Sequence, residues 1–491
     1  MSKGSGSEEL RDLAGVKIRR RVYGEHITST DVFKKYILPE IREMIYRYKW
    51  VDLFCGEGNL ILPILELVPE DKRIEFFRRH IYCFDIQREM IEKAILNASR
   101  YGIPRDVAEK NIIQQDTIKS YPVYIFNDEL PVYHITNPPY LYKGFIVKHR
   151  EAWRYLEYFR GENEKYQDLY QLALINDLRH GVERMIYIIP SNFLYGYSVS
   201  NQIRKDLLKY YVIKKAIIFE RQIFEHTGTN VMIAFFERKR YPGEEPIVFE
   251  GIKIDKDVRR RIYTLDPRYN YRAGYEFEDF VNNYRSRRPL KISFYLTLDE
   301  VKRNPGEKPL KVIDVNDFDG KEYKKKIIYV NEELYEKVRR NILFIRTLDT
   351  GSYEGRAGLY VIREVFGVDG ILVSKAPYRT HPIQIFLTPQ ISAEEQLMLK
   401  EYFNLILEYF RELTDSGFMT TYKYSESEYT RKYLGLTQAK KLIETFPIFT
   451  LNKKEFAELK ELIRKRDPVE LIRFVQFSYH NRLKANKSLD F

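Results

Sequence analysis

The chain has 491 residues, 44% of them hydrophobic and 31% charged, a balance that excludes a disordered or collagen-like polymer. Lys and Arg number 82 against 70 Asp and Glu, a net charge of +12, which favours a polyanionic partner. Two cysteines exclude a disulfide framework and a multi-cysteine zinc site, and no run of about 18 apolar residues marks a membrane span.

The opening MSKGSGSEEL carries no apolar signal region, so a cytoplasmic protein without a membrane partner is the expectation. Apolar runs predict strands at 50–55, 81–86, 111–115, 132–136, 184–189, 212–219 and 231–237. Helical patterns fall between several of them, at 87–101 and 165–179. Strand–helix alternation predicts an α/β fold, a doubly wound and mostly parallel sheet with helices on both faces. Residues 240–300 hold Gly243, Pro246, Pro267, Gly274 and Pro289 and two arginine-rich runs, and read as a connector. Beyond about 290, short strands mix with helices at 393–414 and 453–466. The expected division is a first domain over 1–245, a connector over 246–290 and a mixed α+β domain over 291–491. Charge is uneven across it, with a net of +3 over 1–250 and +9 over 251–491.

The first strand runs into Asp52-Leu53-Phe54-Cys55-Gly56-Glu57-Gly58. Two glycines allow a tight turn and a close ligand approach. The second strand ends at Asp85-Ile86, where a doubly wound sheet grips a ribose diol, although Asp85 also suits a helix N-cap. The third is followed by Asp116, placed to accept from an adenine amine or to cap a turn. No Lys-Ser/Thr follows the glycines, so this is not a phosphate-cradling loop. Glu57 would repel a pyrophosphate. A cationic adenosine cofactor without phosphate, S-adenosylmethionine, fits better, with Asp52 and Glu57 as its electrostatic partners.

A further apolar strand ends in Asn137-Pro138-Pro139-Tyr140. Two prolines hold the backbone extended and remove two N–H groups, leaving carbonyls as the local polar atoms. The Asn137 amide oxygen and the Pro138 carbonyl can each accept one N–H of an aromatic amine. That localises the nitrogen lone pair, an electrostatic effect of roughly 3–4 kcal/mol per key group in comparable sites. Tyr140 offers a face on which an extruded base can stack, on the order of 1–3 kcal/mol.

The order of these segments resembles the gamma-class adenine-N6 DNA methyltransferases of the amino-methyltransferase superfamily, over roughly residues 20–240. Tyr23-Gly24-Glu25-His26-Ile27-Thr28-Ser29 resembles the family's first segment, with Ser29 where proline is usual. The resemblance implies cofactor contacts at Thr28, Asp52, Gly56, Gly58, Asp85, Ile86, Asp116 and Asn137. It implies catalysis by Asn137, Pro138 and Tyr140, and base contacts by Pro139, Tyr140 and Phe224. Asp168-Leu169-Tyr170 resembles the start of the helix after the catalytic loop, and Pro190-Ser191-Asn192-Phe193-Leu194 a later strand end. The implied partner is double-stranded DNA. The last 200 residues become a target recognition domain, and any cognate restriction endonuclease is expected to be a separate chain.

Candidate phosphate contacts in the second half are Lys324, Lys325, Lys326, Arg339, Arg340, Lys440, Lys441, Lys453 and Lys454. Loops at 346–356, 374–381 and 414–432 mix cations, aromatics and turn residues. The eight histidines show no metal-ligand spacing. Cytosine N4, an RNA adenine or a protein glutamine stay open as amino targets, as does a catalytically silent DNA-binding subunit.

Overall fold

The computed structural model describes residues 28–127, 129–220, 230–350, 355–375, 382–421 and 430–487. The chain forms two compact units. One spans the residues up to Ala273 and takes in the short stretch ending at Thr430; the other runs from Gly274 to Tyr422 and resumes at Arg431.

The first unit is built on a nine-stranded sheet, in the order β3-β2-β1-β4-β5-β7-β6-β8-β9. Its strands are β1 (Lys49–Asp52), β2 (Ile81–Asp85), β3 (Ile112–Gln114), β4 (Val132–Thr136) and β5 (Arg184–Pro190), then β6 (Tyr211–Phe219), β7 (Val231–Arg238), β8 (Ile247–Ile254) and β9 (Val258–Leu265). The first five pair in parallel, and β7 runs against both β5 and β6. β1 and β4 are buried along their whole length, as expected where helices cover both faces of a parallel sheet. Successive side chains face opposite ways. Val51 packs with the helix Leu169–His180 in one core, while Trp50 packs with the helix Arg88–Ser99 in the other. The chain steps outward from β1 to β3 and returns to the far side of β1 as β4. This is the switch point at which doubly wound sheets bind ligands, beyond the carboxyl strand ends.

The expected connector over 246–290 is not one throughout. β8 pairs in parallel with β6, and β9 closes the hairpin against β8. Backbone pairing therefore extends the first unit to Ala273 rather than ending it near 245. The stretch after the glycine turn also differs from an α-helix: Leu62–Leu67 is a 3-10 helix. Pro63 sits in its first turn, where no N–H partner is lost.

Arg204 is fully buried and donates to the carbonyls of Phe193 (2.6 Å), Gly196 (2.8 Å) and Asn270 (2.8 Å). It thereby ties the turn after β5 to the end of the unit. Burial pulls its guanidinium down to about 9, with nearby Arg272 adding to the effect.

The second unit is mixed α+β, as expected. The strands Lys291–Phe294, Ile383–Thr388, Leu343–Arg346 and Gly358–Val361 form one antiparallel sheet. A second four-stranded sheet includes the hairpin Lys308–Phe318 and Tyr323–Val330. The 22-residue helix Ala393–Thr414 opens with a Ser392–Glu395 capping box and buries Arg411 against Asp349 at 2.9 Å. Among the candidate phosphate contacts, Lys326 is held by Asp314 at 2.6 Å and Arg340 by Glu336 at 2.9 Å, so neither cation is spare. Parts of the three mixed loops, at 351–354, 376–381 and 422–429, lie outside the described residues. Among the described residues no helix is long and apolar enough to cross a membrane.

Arg204→Met should keep the aliphatic packing and leave three buried carbonyls unpaired. At about 1–3 kcal/mol for each orphaned group, a loss of at least about 3 kcal/mol is expected in denaturant unfolding.

Candidate active site

The site begins where β1 ends. Asp52 points beneath the turn, its Oδ1 accepting from Phe54 N–H at 3.0 Å and from the Thr136 hydroxyl of β4 at 2.7 Å. Gly56 and Gly58 follow with φ of +51° and +82°, which only glycine adopts freely. The loop is tied to the neighbouring strand end: Gly56 N–H donates to Asp85 Oδ2 at 2.9 Å, and Gln87 N–H to Asp85 Oδ1 at 2.8 Å. The Thr117 hydroxyl donates to Leu53 O at 2.9 Å. These ties open one cavity over the carboxyl ends of β1, β2 and β4.

Thr28, Gly56, Asp85, Ile86, Asp116, Asn137 and Pro139 all line that cavity. The glycine turn and the Asn-Pro-Pro-Tyr corner, some eighty positions apart in the chain, therefore share one space. Glu57, Asp85 and Asp116 bring carboxylates to the lining, and no Lys, Arg or His is among its described residues. Such a wall favours a cationic ligand and opposes a phosphate.

Four expected residues stand elsewhere. Asp52 is buried under the turn and supports it. Gly58 lies behind the turn, where a Cβ would sit 2.5 Å from Leu62 Cδ1. Pro138 is buried. Tyr140 packs against both cores, its ring edge-on to Tyr170 at 6.3 Å. Its hydroxyl has one proton to give and sits between two acceptors, Asn137 Oδ1 at 2.5 Å and Ile188 O at 2.7 Å. With Asn137 Nδ2 donating to the Thr28 hydroxyl at 2.9 Å, the amide is spanned from both sides, so Tyr140 orients Asn137 besides presenting a ring. Asp168 holds the same corner by accepting Leu141 N–H at 2.9 Å. Phe224 lies outside the described residues, as do residues 23–27.

Tyr155 and Tyr158 are among the lining residues missed from sequence. Both belong to a ten-residue 3-10 helix, Arg150–Phe159, and the Tyr158 hydroxyl donates to Asp116 Oδ2 at 2.8 Å. Their signal was a spacing of three shared with buried Ala152, the period of a 3-10 helix and not of an α-helix. Glu57, expected to face a ligand, also lies 3.3 Å from Lys93.

Below the cavity, Leu53 N–H donates to His134 Nε2 at 3.2 Å. An accepting Nε2 leaves the imidazole proton on Nδ1, which faces Asp177. Asp177 also accepts from Tyr121 at 2.8 Å and Tyr187 at 2.7 Å. A fully buried carboxylate is thus satisfied by three donors, as burial demands.

The family model for N-6 DNA methylases matches residues 19–310, more than half of the chain and every segment that forms the cavity. The chain belongs to the N-6 DNA methylase family.

No curated protein matches the sequence. Among solved structures, this N-6 DNA methylase is similar to a type I restriction-modification methyltransferase subunit from Streptococcus thermophilus: 18% identity, 46% of this chain and 47% of that one, TM-score 0.32. It is similar to the M protein of the type I restriction enzyme EcoKI at 14% identity, over 49% of this chain and 51% of that one, TM-score 0.34. It is also similar to a nuclease-deletion mutant of the Type ISP enzyme LlaGI bound to a DNA substrate mimic, at 11% identity, over 85% of this chain and 46% of that one, TM-score 0.46. The chain spans about half the length of each of these structures.

Burial dominates two carboxyl groups of this N-6 DNA methylase. It pushes Asp52 up to about 6, against the opposing hydrogen bond from Thr136, and Asp168 up to about 7 against that from Leu141. A raised carboxyl favours the protonated fold, so its contribution to stability is complete below about pH 4 and is lost as pH rises through 6 to 7. Asp52 Oδ2 has no hydrogen-bond partner among the described residues, so an amide there loses no acceptor. Asp52→Asn should flatten much of this slope, measured by urea unfolding across pH.

The two glycines should separate in effect. Gly58→Ala should cost about 1–3 kcal/mol of stability through its backbone conformation and its clash with Leu62. At Gly56 a Cβ would meet no atom within 4 Å, so Gly56→Ala should carry only the backbone cost of its φ of +51° and should weaken ligand binding in the cavity more than Gly58→Ala does. Thermal unfolding and calorimetric titration with S-adenosylmethionine read the two effects.

Proposed function

We propose that the chain transfers a methyl group from S-adenosylmethionine to the N6 amine of adenine in a specific double-stranded DNA sequence. The observation that carries this reading is the shared cavity, which Asn137 and Pro139 line together with Gly56, Asp85 and Asp116.

The residues present fit the cofactor. Each Asp85 oxygen accepts one backbone N–H and retains lone-pair capacity for a ribose hydroxyl. Asp116 and Ile86 suit the adenine end, and the carboxylates of the wall suit a positive sulfonium and amine. Bound S-adenosylmethionine supplies an activated methyl group, so no enzyme nucleophile is required. Both cysteines are buried, in keeping with packing roles. Asn137 Oδ1, on the cavity wall, would accept one N–H of the target amine. That would free the amine's lone pair to take the methyl group that a bound cofactor would supply, its sulfur keeping the electron pair of the bond lost, and the amine would release one proton to solvent. Thr28 and Tyr140 keep the Asn137 amide in register for this task. A base within a duplex cannot enter such a cavity, so the target adenine is flipped out. The second unit carries half of the net positive charge and would select the sequence. The chain would act in the cytoplasm as the modification half of a restriction-modification system, with any endonuclease a separate chain.

Asn137→Ala should lower methyl transfer by at least about a hundredfold, the effect of removing one preorganised polar group, while S-adenosylmethionine binding by calorimetry stays near that of the parent. Expression in a methylation-deficient host, with modified bases mapped by single-molecule sequencing, should show N6-methyladenine at one recurrent motif. Retained activity in the variant, or methylation confined to cytosine or RNA, would overturn the reading.

A further inference from the structure

Between the Asn-Pro-Pro-Tyr corner and the helix Leu169–His180, the chain passes through a short helix, Lys143–Lys148, and the 3-10 helix Arg150–Phe159. With three residues per turn, positions three apart share a stripe. One stripe, Ala152, Tyr155 and Tyr158, is buried, and its two tyrosines line the cavity. The stripe of Glu151, Arg154, Glu157 and Arg160 is open to solvent, and the third begins exposed at Arg150 and Trp153 and ends buried at Phe159. The segment is therefore a rim, with its inner side in the cofactor cavity and its outer side in water.

The outer side is chemically distinct. Trp153 is 48% exposed, anchored by its indole N–H to Val147 O at 3.2 Å. The Arg150 guanidinium lies 5.6 Å from the indole ring, and that of Arg154 lies 4.9 Å from the Tyr155 ring. Elsewhere on this unit Lys165, Arg179, Arg184 and Lys215 each have a carboxylate within 4 Å. Lys148, Arg150 and Arg160 have none among the described residues. Cations left without counter-charge suit a phosphodiester backbone, and the exposed indole beside Arg150 suits a base face.

We propose that this rim is a contact surface for duplex DNA: Lys148, Arg150 and Arg160 meet backbone phosphates, and Trp153 stacks against a base exposed when its neighbour enters the cavity. The proposal rests on the methyl-transfer reading and adds to it the surface that holds the strand at the cavity mouth. It assigns no sequence selectivity to the rim.

The chain's two tryptophans make it testable, because Trp50 is fully buried and Trp153 is not. In the full chain, acrylamide should quench Trp153 fluorescence, and a saturating methylatable duplex should protect it severalfold; Trp153→Phe should abolish both effects. The triple variant Lys148→Ala, Arg150→Ala, Arg160→Ala should bind the duplex at least tenfold more weakly at low salt. Its slope of log affinity against log salt should fall by about 0.9 for each phosphate no longer neutralised. Unchanged calorimetric binding of S-adenosylmethionine would show that its cavity side is intact. If the parent chain methylates and binds DNA while Trp153 stays open to quencher and the triple variant keeps the parental slope, the rim proposal is wrong and the methyl-transfer reading stands. If the parent neither methylates nor binds DNA, the underlying reading fails. Protection by an RNA hairpin but not by duplex DNA would overturn the proposal as well.

Discussion

The site depends on how the carboxyl ends of β1, β2 and β4 are tied to one another. Asp52 joins β1 to β4 through the Thr136 hydroxyl, His134 joins them again through Leu53 N–H, and Asp85 joins β2 to the turn through Gly56 N–H. Each tie is a side chain from one strand end satisfying a backbone or hydroxyl group of another. Parallel strands cannot form these ties through their ladders, because ladder pairing stops where the strands stop. The polar side chains at the strand ends take over, and the cavity is the space they hold open.

The 3-10 helix Arg150–Phe159 divides the inside of this cavity from its rim. The lining presents carboxylates, and the outer side presents Arg150 and Arg154 against aromatic rings with Glu151 and Glu157 beside them. A period of three puts Tyr155 and Tyr158 on one side and these charged residues on the other. A helix of 3.6 residues per turn would carry Tyr155 and Tyr158 around its axis and blur that separation.

The buried polar groups beneath the site follow the same economy of partners. Asp177 takes three donors, Arg204 gives to three carbonyls, and Asp52 keeps one oxygen without a partner in the described structure. That last exception coincides with a carboxyl raised by burial, as expected when one oxygen has no donor to offset desolvation. In the second unit many exposed cations are likewise engaged, Lys326 by Asp314 and Arg340 by Glu336. A surplus of positive charge in the composition is therefore not the same as a free basic surface.

Much of the central sheet was legible in the residues. β4 begins and ends where its apolar run does, and β1, β2, β5, β6 and β7 fall within a few residues of their expected spans, because strands buried on both faces read as continuous apolar runs. The long helix Ala393–Thr414 was legible for a related reason, its apolar residues recurring with helical period. β8 and β9 were not. They sit at the edge of the sheet, where Arg259 and Arg260 are exposed, and their run of charge between Pro246 and Pro267 looks like a linker until pairing with β6 is known. The glycine turn, Asp85, Asp116 and Asn137 could be named from motif chemistry, since each residue type suits one task at a strand end. Which of them face the cavity, the role of Tyr140 in holding Asn137, and the entry of Tyr155 and Tyr158 into the wall were decided only by tertiary structure. Those facts depend on side chains meeting across gaps of tens of residues, and local sequence carries no record of such distances.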